Sequence, residues 1–550
     1  MLPPTFCVLP FTQATFLNDG RARLCCRSDQ DLLEQGESLS LHQMTIGEIW
    51  NAAAYQRIRA QMLAGKPVPA CQLCAAAEAA GGASLRQVMN DPFSLQSLGF
   101  TDTNALLEAA REMVSSENSA PRAFHLWLGN RCNLKCRMCS PHFSSQIALD
   151  PVHRQWSGGL THSERLFPRE RRGVRYWGWG DCRQRGQNWM RRLSAGSAGG
   201  IGFPTSGMAV TALSLQGWNY GEPLTLSLQT QRQNPVQRLL PPGRWQIRWD
   251  WESETHNSAD FELVLALEEE GRWLEIDDLT VALTGSTPQG EFASPLSRLS
   301  CPTPWVNDDA VLEELLAAPQ NLRLLQVSGG EPLLQRRFYE LIETLVKGGH
   351  SSRIQLYIST NGMVYSRRLA QLLKEFRSLE LGVSVDGYGA LQEYIRYPAQ
   401  WALIERHLFA YRQDGLPVSI RATPQAYNIF GLLDLAHWCQ QQELPFYCEN
   451  ILWSPRFLSL DMLPQGVINE VLKDFVKFLE TERNEALGRQ IQTVISVLRR
   501  PRPSLGELTQ LQRQFIEFTQ ALDESRSQGL AQACPRLYEN LPYFASSSSG

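Results

Sequence analysis

Short, nearly continuous apolar runs recur in the second half of the chain at Leu322–Val327, Ile354–Ser359, Leu381–Val385, Val418–Ala422 and Phe446–Leu452, with a sixth upstream at Phe124–Leu128. Runs of this kind are the pattern of strands buried on both faces. Segments of helical spacing separate most of them: Phe338–Val346, Arg367–Phe376, Trp401–Tyr411 and Gly431–Gln441. Strand alternating with helix at this spacing predicts parallel βαβ units and an α/β domain. Six strands fall two short of a closed eight-stranded barrel, so the expected closure is an open, partial (β/α)6 barrel. Ligands in such folds gather at the C-terminal ends of the strands.

The interval between the upstream run and Leu322–Val327 is far too long for one crossover, because about 150 residues, roughly Leu149 to Pro304, are inserted where a βα unit uses a short loop. They begin with an Arg- and Trp-rich stretch, Arg171–Arg192, and a Gly/Ser-rich segment read as a linker, Ser194–Gly207. Alternating strand patterns follow at Leu224–Leu228, Trp245–Trp251, Phe261–Leu267 and Trp273–Leu283. They predict an inserted, jelly-roll-like β-sandwich. Nine of the 15 tryptophans lie in it. Upstream, Phe16–Leu24 reads as a hairpin turning at Asp19-Gly20, followed by helical segments at Ile46–Leu63 and Thr101–Met113. Helices are expected from Pro464 to Gly529, broken at Pro501-Arg502-Pro503. The expected domains are 1–115, 121–148 with 305–460, the insert 149–304, and a helical 461–550.

Composition narrows the class. The chain is 43% hydrophobic and 20% charged, as soluble globular proteins are, and its net charge of -4 gives no electrostatic reason for a nucleic-acid or membrane-surface partner. The first residues lack a basic n-region and an apolar h-region, and no run is long and apolar enough to span a bilayer. Thirteen cysteines without an export signal favour metal ligation over disulfides. The expectation is a cytoplasmic metalloprotein.

Cys132, Cys136 and Cys139 lie on one loop directly after the first strand, in C-x3-C-x2-C spacing. Three soft thiolates suit a cubane iron–sulfur cluster with one iron left open, and the next cysteine, Cys182, lies too far along for a closed local site. The second strand ends in Gly329-Gly330-Glu331-Pro332, whose glycines admit a close ligand and whose carboxylate can hold a cationic group. The third ends in Ser359-Thr360-Asn361-Gly362 and the fourth in Ser384-Val385-Asp386-Gly387, so polar residues cap successive strands along one rim.

These motifs, in this order, resemble those of the radical S-adenosylmethionine (radical SAM) superfamily, whose fold is a partial TIM-like barrel. The resemblance implies that Cys132, Cys136 and Cys139 hold a [4Fe-4S] cluster and that Gly329, Gly330, Glu331 and Pro332 bind the methionyl end of S-adenosylmethionine. It places Asn361 and Ser384 at the cofactor, Ser384 at the ribose, and Arg421 at the methionyl carboxylate. Met138 departs from the usual aromatic before the third cysteine, and a flexible Met can fill the same space. Cys7, Cys25, Cys71 and Cys74 resemble the first part of the SPASM auxiliary-cluster segment, in its shortened twitch form, here ahead of the barrel. Cys26 competes with Cys25, and the spacing from Gly20 favours Cys25. Glu393-Tyr394-Ile395-Arg396 and Phe515–Arg526 also resemble segments of twitch-domain radical SAM proteins. The implied chemistry is reductive cleavage of S-adenosylmethionine to a 5′-deoxyadenosyl radical that oxidises or rearranges a peptide or sugar-like substrate. An electron donor such as flavodoxin or ferredoxin is implied with it.

Bland alternatives stand beside these readings. Either cysteine set fits structural zinc. Cys439 and Cys448 read as buried apolar residues, Cys182 and Cys301 as simple thiols, and Cys534 as a residue outside any cluster. His125, His142 and His153 read as core or surface histidines. Trp245, Trp249 and Trp273 read as core, or as a stacking platform for sugar rings. Arg171, Arg172, Arg175, Arg191 and Arg192 read as a solvated face, or as an anion clamp. Among whole-protein alternatives are a SAM-consuming group transfer and a non-catalytic iron–sulfur scaffold with a carbohydrate-binding-like module.

Overall fold

The computed structural model describes residues 2–541 except 29, 35–36, 80–83, 116–118, 141–142, 149, 151, 157–161, 168–174, 178–181, 186–187, 195–197, 205–208, 231–232, 251–259, 268–272, 285–304 and 449. The chain divides into two compact units, one of residues 1–41, 45–154 and 309–550, the other of 42–44 and 155–308. Among the described residues, no helix is long and apolar enough to cross a membrane.

The larger unit is built on one eight-stranded sheet. Its strands, in chain order, are β1 (Gln13–Phe16), β2 (Ala22–Arg23), β3 (Ala123–Trp127), β4 (Leu324–Ser328), β5 (Gln355–Thr360), β6 (Ser378–Ser384), β7 (Val418–Arg421) and β8 (Phe446–Tyr447). The spatial order runs β2-β1-β3-β4-β5-β6-β7-β8, and every neighbouring pair from β1 to β8 is parallel. Leu126, Val327, Ile358, Leu381 and Ile420 are all buried, the continuous apolar signature of a sheet covered on both faces. Helices α1 (Arg336–Lys347), α2 (Arg367–Leu373), α3 (Trp401–Gln413) and α4 (Leu432–Gln441) make the crossovers, and α1 buries Phe338, Leu341, Ile342 and Leu345 along one face. The C-terminal region contributes three further long helices, of which the last is α5 (Leu505–Arg526).

Two features differ from the expectation. The N-terminal hairpin forms as expected, but it does not stand apart: β1 pairs parallel with β3, with Phe16 opposite Leu126, and lengthens the sheet beyond six strands. The last strand is only Phe446–Tyr447, because the chain leaves the sheet at Cys448.

The smaller unit is all-β. One sheet has five strands in the order Gln233–Leu240, Leu224–Thr230, Asp260–Leu267, Gly199–Pro204, Arg175–Trp177. A second has Gly243–Asp250, Ala209–Asn219, Trp273–Thr284, Asn188–Ser194 and Cys182–Arg185 in order, with His162–Phe167 also paired to Trp273–Thr284. Leu213, Leu226, Leu263, Ile276, Trp245 and Trp249 belong to one buried core drawn from both sheets. The segment expected to be a linker contains the strand Gly199–Pro204, with Ile201 opposite Leu263. Its glycines hide the alternation, and cross-strand packing supplies what local propensity lacks.

Trp245 and Trp249 are core, while Trp273 stacks against the Arg192 guanidinium at 3.9 Å and against Tyr220 at 5.1 Å. The expected sugar platform therefore loses two of its three rings to the core. Arg171, Arg172, His142 and Cys301 lie outside the described residues, as do the side chains of Arg175, Cys182 and Arg191.

Candidate functional site

The C-terminal strand ends bring the cysteine loop and the glycine motif side by side. Pairing of β3 with β4 continues past both strands: the Leu128 N–H donates to Ser328 O (2.9 Å), Gly330 N–H to Gly129 O (2.9 Å) and Glu331 N–H to Arg131 O (2.8 Å). A Cβ at Gly330 would stand 2.4 Å from Arg131 O, and Gly329 has φ +122°. Only glycines let two backbones run this close.

Glu331 is wholly buried, and burial pushes its carboxyl up to about 7. One oxygen accepts from Leu333 N–H (3.1 Å) and Thr360 Oγ1 (2.8 Å), the other from Asn361 N–H (2.7 Å). The carboxylate expected to hold a cationic group is thus engaged by three protein donors. It lashes the end of β4 to the end of β5, and Pro332 starts the turn that follows. Asn361 continues the chain of contacts: its Nδ2 donates to Asn133 Oδ1 (2.8 Å) and lies 3.9 Å from Cys132 Sγ.

Cys136 is buried, and Cys132 and Cys139 are half-buried. Burial raises all three thiols, Cys132 to about 12; Cys136 further raises Cys132, and Cys132 and Cys136 raise Cys139, as nearby groups do. Arg396 opposes the rise at each of the three. Its Nε donates to Asp386 Oδ2 (2.7 Å), and Asp386 Oδ1 accepts from Thr423 N–H (2.7 Å). Arg396 and Asp386 were missed as site residues. The signal was present in Glu393–Arg396, but a guanidinium twelve positions past Ser384 is only brought to the cysteines by the turn after β6.

Ser384 ends β6, and Arg421 ends β7 directly opposite it. Arg421 is ion-paired with Glu380 and stacked on Tyr447 at 3.7 Å. Both belong to the wall of a cavity of about 580 Å³ on one face of the sheet, together with His125, Trp127, Tyr357 and, from the N-terminal segment, Cys26 and Arg27.

In the N-terminal segment Cys7, Cys71 and Cys74 share an electrostatic neighbourhood, with Cys7 pushed up to about 12 by burial. Cys25 feels Cys7 and Cys74, and its thiol is raised well above the ordinary value, chiefly by burial. Cys26 is exposed and turned to the cavity. Among the described residues, no three His, Cys, Asp or Glu side chains converge tightly enough to hold a single metal ion. The donor sets are soft thiols, three in one loop and five in the N-terminal segment, and they suffice in number and type for iron–sulfur clusters.

Cys439 and Cys448 are buried core residues, and the Cys534 thiol donates to Tyr427 O (3.4 Å). His125 and His153 are buried and neutral, lowered by burial to about 4 and about 3. The unfolded chain binds protons at these histidines below about pH 6.5 while the folded chain does not, so stability is lost as pH falls. Urea denaturation of the apo protein at pH 7 and pH 5 should show a loss of roughly 2 kcal/mol for each histidine, reduced in His153→Gln. Because the raised Glu331 carboxyl shifts stability the other way over the same range, the difference between the two proteins decides, and an equal pH dependence in the unaltered protein and His153→Gln would contradict the buried neutral state of His153.

Residues 295–431 match the model for the Radical SAM superfamily, and residues 7–75 match the SPASM iron–sulfur cluster-binding domain. The fold and these matches define a protein of two iron–sulfur modules on a parallel α/β sheet. The chain thus carries a stretch that matches a radical SAM domain and another that matches a SPASM-type domain, and such domains bind a [4Fe-4S] cluster with S-adenosylmethionine and auxiliary iron–sulfur clusters respectively. The radical SAM match starts beyond the cysteine loop, and the parallel pairing of β3 with β4 is what returns that loop to the domain.

The chain is similar to the Fe-coproporphyrin III synthase of Methanosarcina barkeri, at 27% identity over 122 residues, 22% of this chain and 30% of that protein. Among solved structures it is similar to native anSMEcpe with bound AdoMet (18% identity, 32% of this chain and 54% of that one, TM-score 0.27). It is also similar to Streptococcus suis SuiB bound to S-adenosylmethionine (15%, 31% and 40%, TM-score 0.24). The matches span about a third of the curated relative and about half or less of these solved chains.

Proposed function

We propose that the chain is a radical SAM oxidoreductase that cleaves S-adenosylmethionine reductively and oxidises or rearranges a polar substrate, a peptide segment or a sugar-like molecule. The observation that carries this reading is the union of the Cys132–Cys139 loop with Gly329–Pro332 across the ends of β3 and β4. When bound, the cluster and S-adenosylmethionine supply one-electron cleavage of the sulfonium and a 5′-deoxyadenosyl radical.

In this reading the sheet is an open partial barrel and the all-β unit an inserted sandwich. Cys132, Cys136 and Cys139 hold the cluster, and Gly329 and Gly330 bring backbone close to the methionyl group. Glu331 and Asn361 fix the strand ends that form this seat, and Ser384 faces the ribose. Arg421, already balanced by Glu380, contributes to the cavity wall, where its stacked guanidinium and the neighbouring tyrosines offer polar contacts to substrate.

The test is anaerobic reconstitution, addition of dithionite and S-adenosylmethionine, and measurement of 5′-deoxyadenosine. Release of that product supports the reading, and recovery of intact S-adenosylmethionine alone overturns it. For the auxiliary site we assign Cys7, Cys25, Cys71 and Cys74. Cys25→Ala should lower the iron content by about four per chain, whereas Cys26→Ala should leave it unchanged. The reverse outcome would exchange the two assignments, and four irons with one zinc in the unaltered protein would replace the second cluster by a zinc site.

A further inference from the structure

The two basic residues flanking Cys136 reach away from the cysteine cluster. Arg137 is fully buried at its side chain, its guanidinium 3.7 Å over the Tyr394 ring, with Nε donating to Tyr394 O (3.0 Å). The same guanidinium donates to Asp523 Oδ1 (2.5 Å), in the last turn of α5, and to Gln528 Oε1 (3.1 Å), just beyond it. Lys135 donates to Asp150 Oδ2 (3.0 Å), and Arg526 lies 4.0 Å from that carboxylate while bonding His153 Nδ1 (2.9 Å). Asp523 and Arg526 are three residues apart on one helix face, so a single turn of α5 serves both flanks of Cys136.

The loop backbone is fastened as well, Lys135 N–H to Tyr397 O (2.6 Å) and Arg137 N–H to Ile395 O (2.8 Å). Asp523 spends its other oxygen on Leu530 N–H (2.8 Å), and Gln528 Nε2 donates to Glu393 O (3.2 Å). These contacts join the two segments Glu393–Arg396 and Phe515–Arg526, of which only Arg396 is used by the site described above. A buried charge pair adds little net stability compared with an apolar pair, but removing one partner strands a charge. Such a pair is therefore well suited to fixing one conformation.

We propose that the end of α5 is a latch for the cysteine loop, with Asp523 a positioning residue that acts on Cys136 and Cys139 through Arg137. The proposal rests on the reading that Cys132, Cys136 and Cys139 hold the cluster.

The test compares Asp523→Ala, Asp523→Glu and Gln528→Ala in the full chain. Two readouts are followed: amide hydrogen exchange before reconstitution, and the electron paramagnetic resonance spectrum after anaerobic reconstitution and reduction. The spectrum is recorded in a Cys71→Ala/Cys74→Ala background so that only the loop cluster contributes. Asp523→Ala should speed exchange of the 132–139 amides about tenfold, the size expected for losing a buried charge-assisted hydrogen bond, without speeding it in α1–α4. It should also alter the spectrum, and Asp523→Glu should restore most of both.

Unchanged exchange in the loop, or an equal rise throughout the unit, would overturn the latch. Should Asp523→Ala fail to fold, Gln528→Ala removes one of the two side-chain acceptors of Arg137 and must give the same local change at smaller size. No change there counts against the proposal. If the cluster reading itself is wrong, Cys132→Ala/Cys136→Ala/Cys139→Ala in the same background will keep its iron and spectrum. The exchange measurement on apo protein still decides the latch.

Discussion

Alanine at Cys132, Cys136 and Cys139 together should reduce 5′-deoxyadenosine release from reconstituted protein to background, while the iron at the N-terminal cysteines stays. The three thiols are on one loop whose conformation is set by backbone bonds, such as Cys139 N–H to Cys136 O (2.9 Å), rather than by the thiols themselves. Substitution therefore removes ligands without removing the loop. Iron should fall from about eight to about four per chain, since one cubane is lost and one kept. Product formation that survives the triple substitution would sink the assignment of this loop, and loss of all iron would mean that the two sites assemble as one.

Gly330→Ala should lower 5′-deoxyadenosine formation by roughly a hundredfold or more, on the scale of an ångström-sized misplacement in an active site. The added methyl would meet backbone rather than a flexible side chain, with Arg131 O at 2.4 Å and Asn130 C at 2.7 Å. Neither atom can swing aside, so the end of β4 must part from the entry of the cysteine loop, and the Glu331 N–H to Arg131 O bond goes with it. The cost falls on the relation between the two motifs and spares the N-terminal cysteines. Iron retained at about four or more per chain with cleavage lost would fit, and cleavage at the unaltered rate would show that the two loops need not touch.

The sheet was largely legible because its strands are buried on both faces and advertise themselves as uninterrupted apolar runs. The positions of β4, β5 and β6 follow from Leu322–Val327, Ile354–Ser359 and Leu381–Val385 within a few residues. The strand Gly199–Pro204 was not legible, since three of its six residues are glycines and its pairing partner lies some sixty residues on. The same limit governs the site. Cys132, Gly330 and Asn361 declare themselves by residue type at strand ends. Arg137, Arg396 and Asp523 are ordinary charged residues in sequence, and only the folding of distant segments onto the cysteine loop gives them a role. The hydrogen bonds of Glu331 were out of reach for a related reason, because its three donors come from backbone and a hydroxyl that the sequence leaves unplaced.

The parallel union of β1 with β3 has a bearing on how this protein can be dissected. Four residues, Gln13–Phe16, occupy the hydrogen-bonding edge of β3 across the register Gln13–Ala123 to Phe16–Leu126. A chain begun at residue 121 would bare that edge, with Phe124 and Leu126 among its apolar side chains, and an uncovered edge of this kind recruits strands from other molecules. The iron–sulfur segment is thus also a molecular selvage. It finishes this side of the sheet, and the edge of β3 stays covered only for as long as those first residues travel with it.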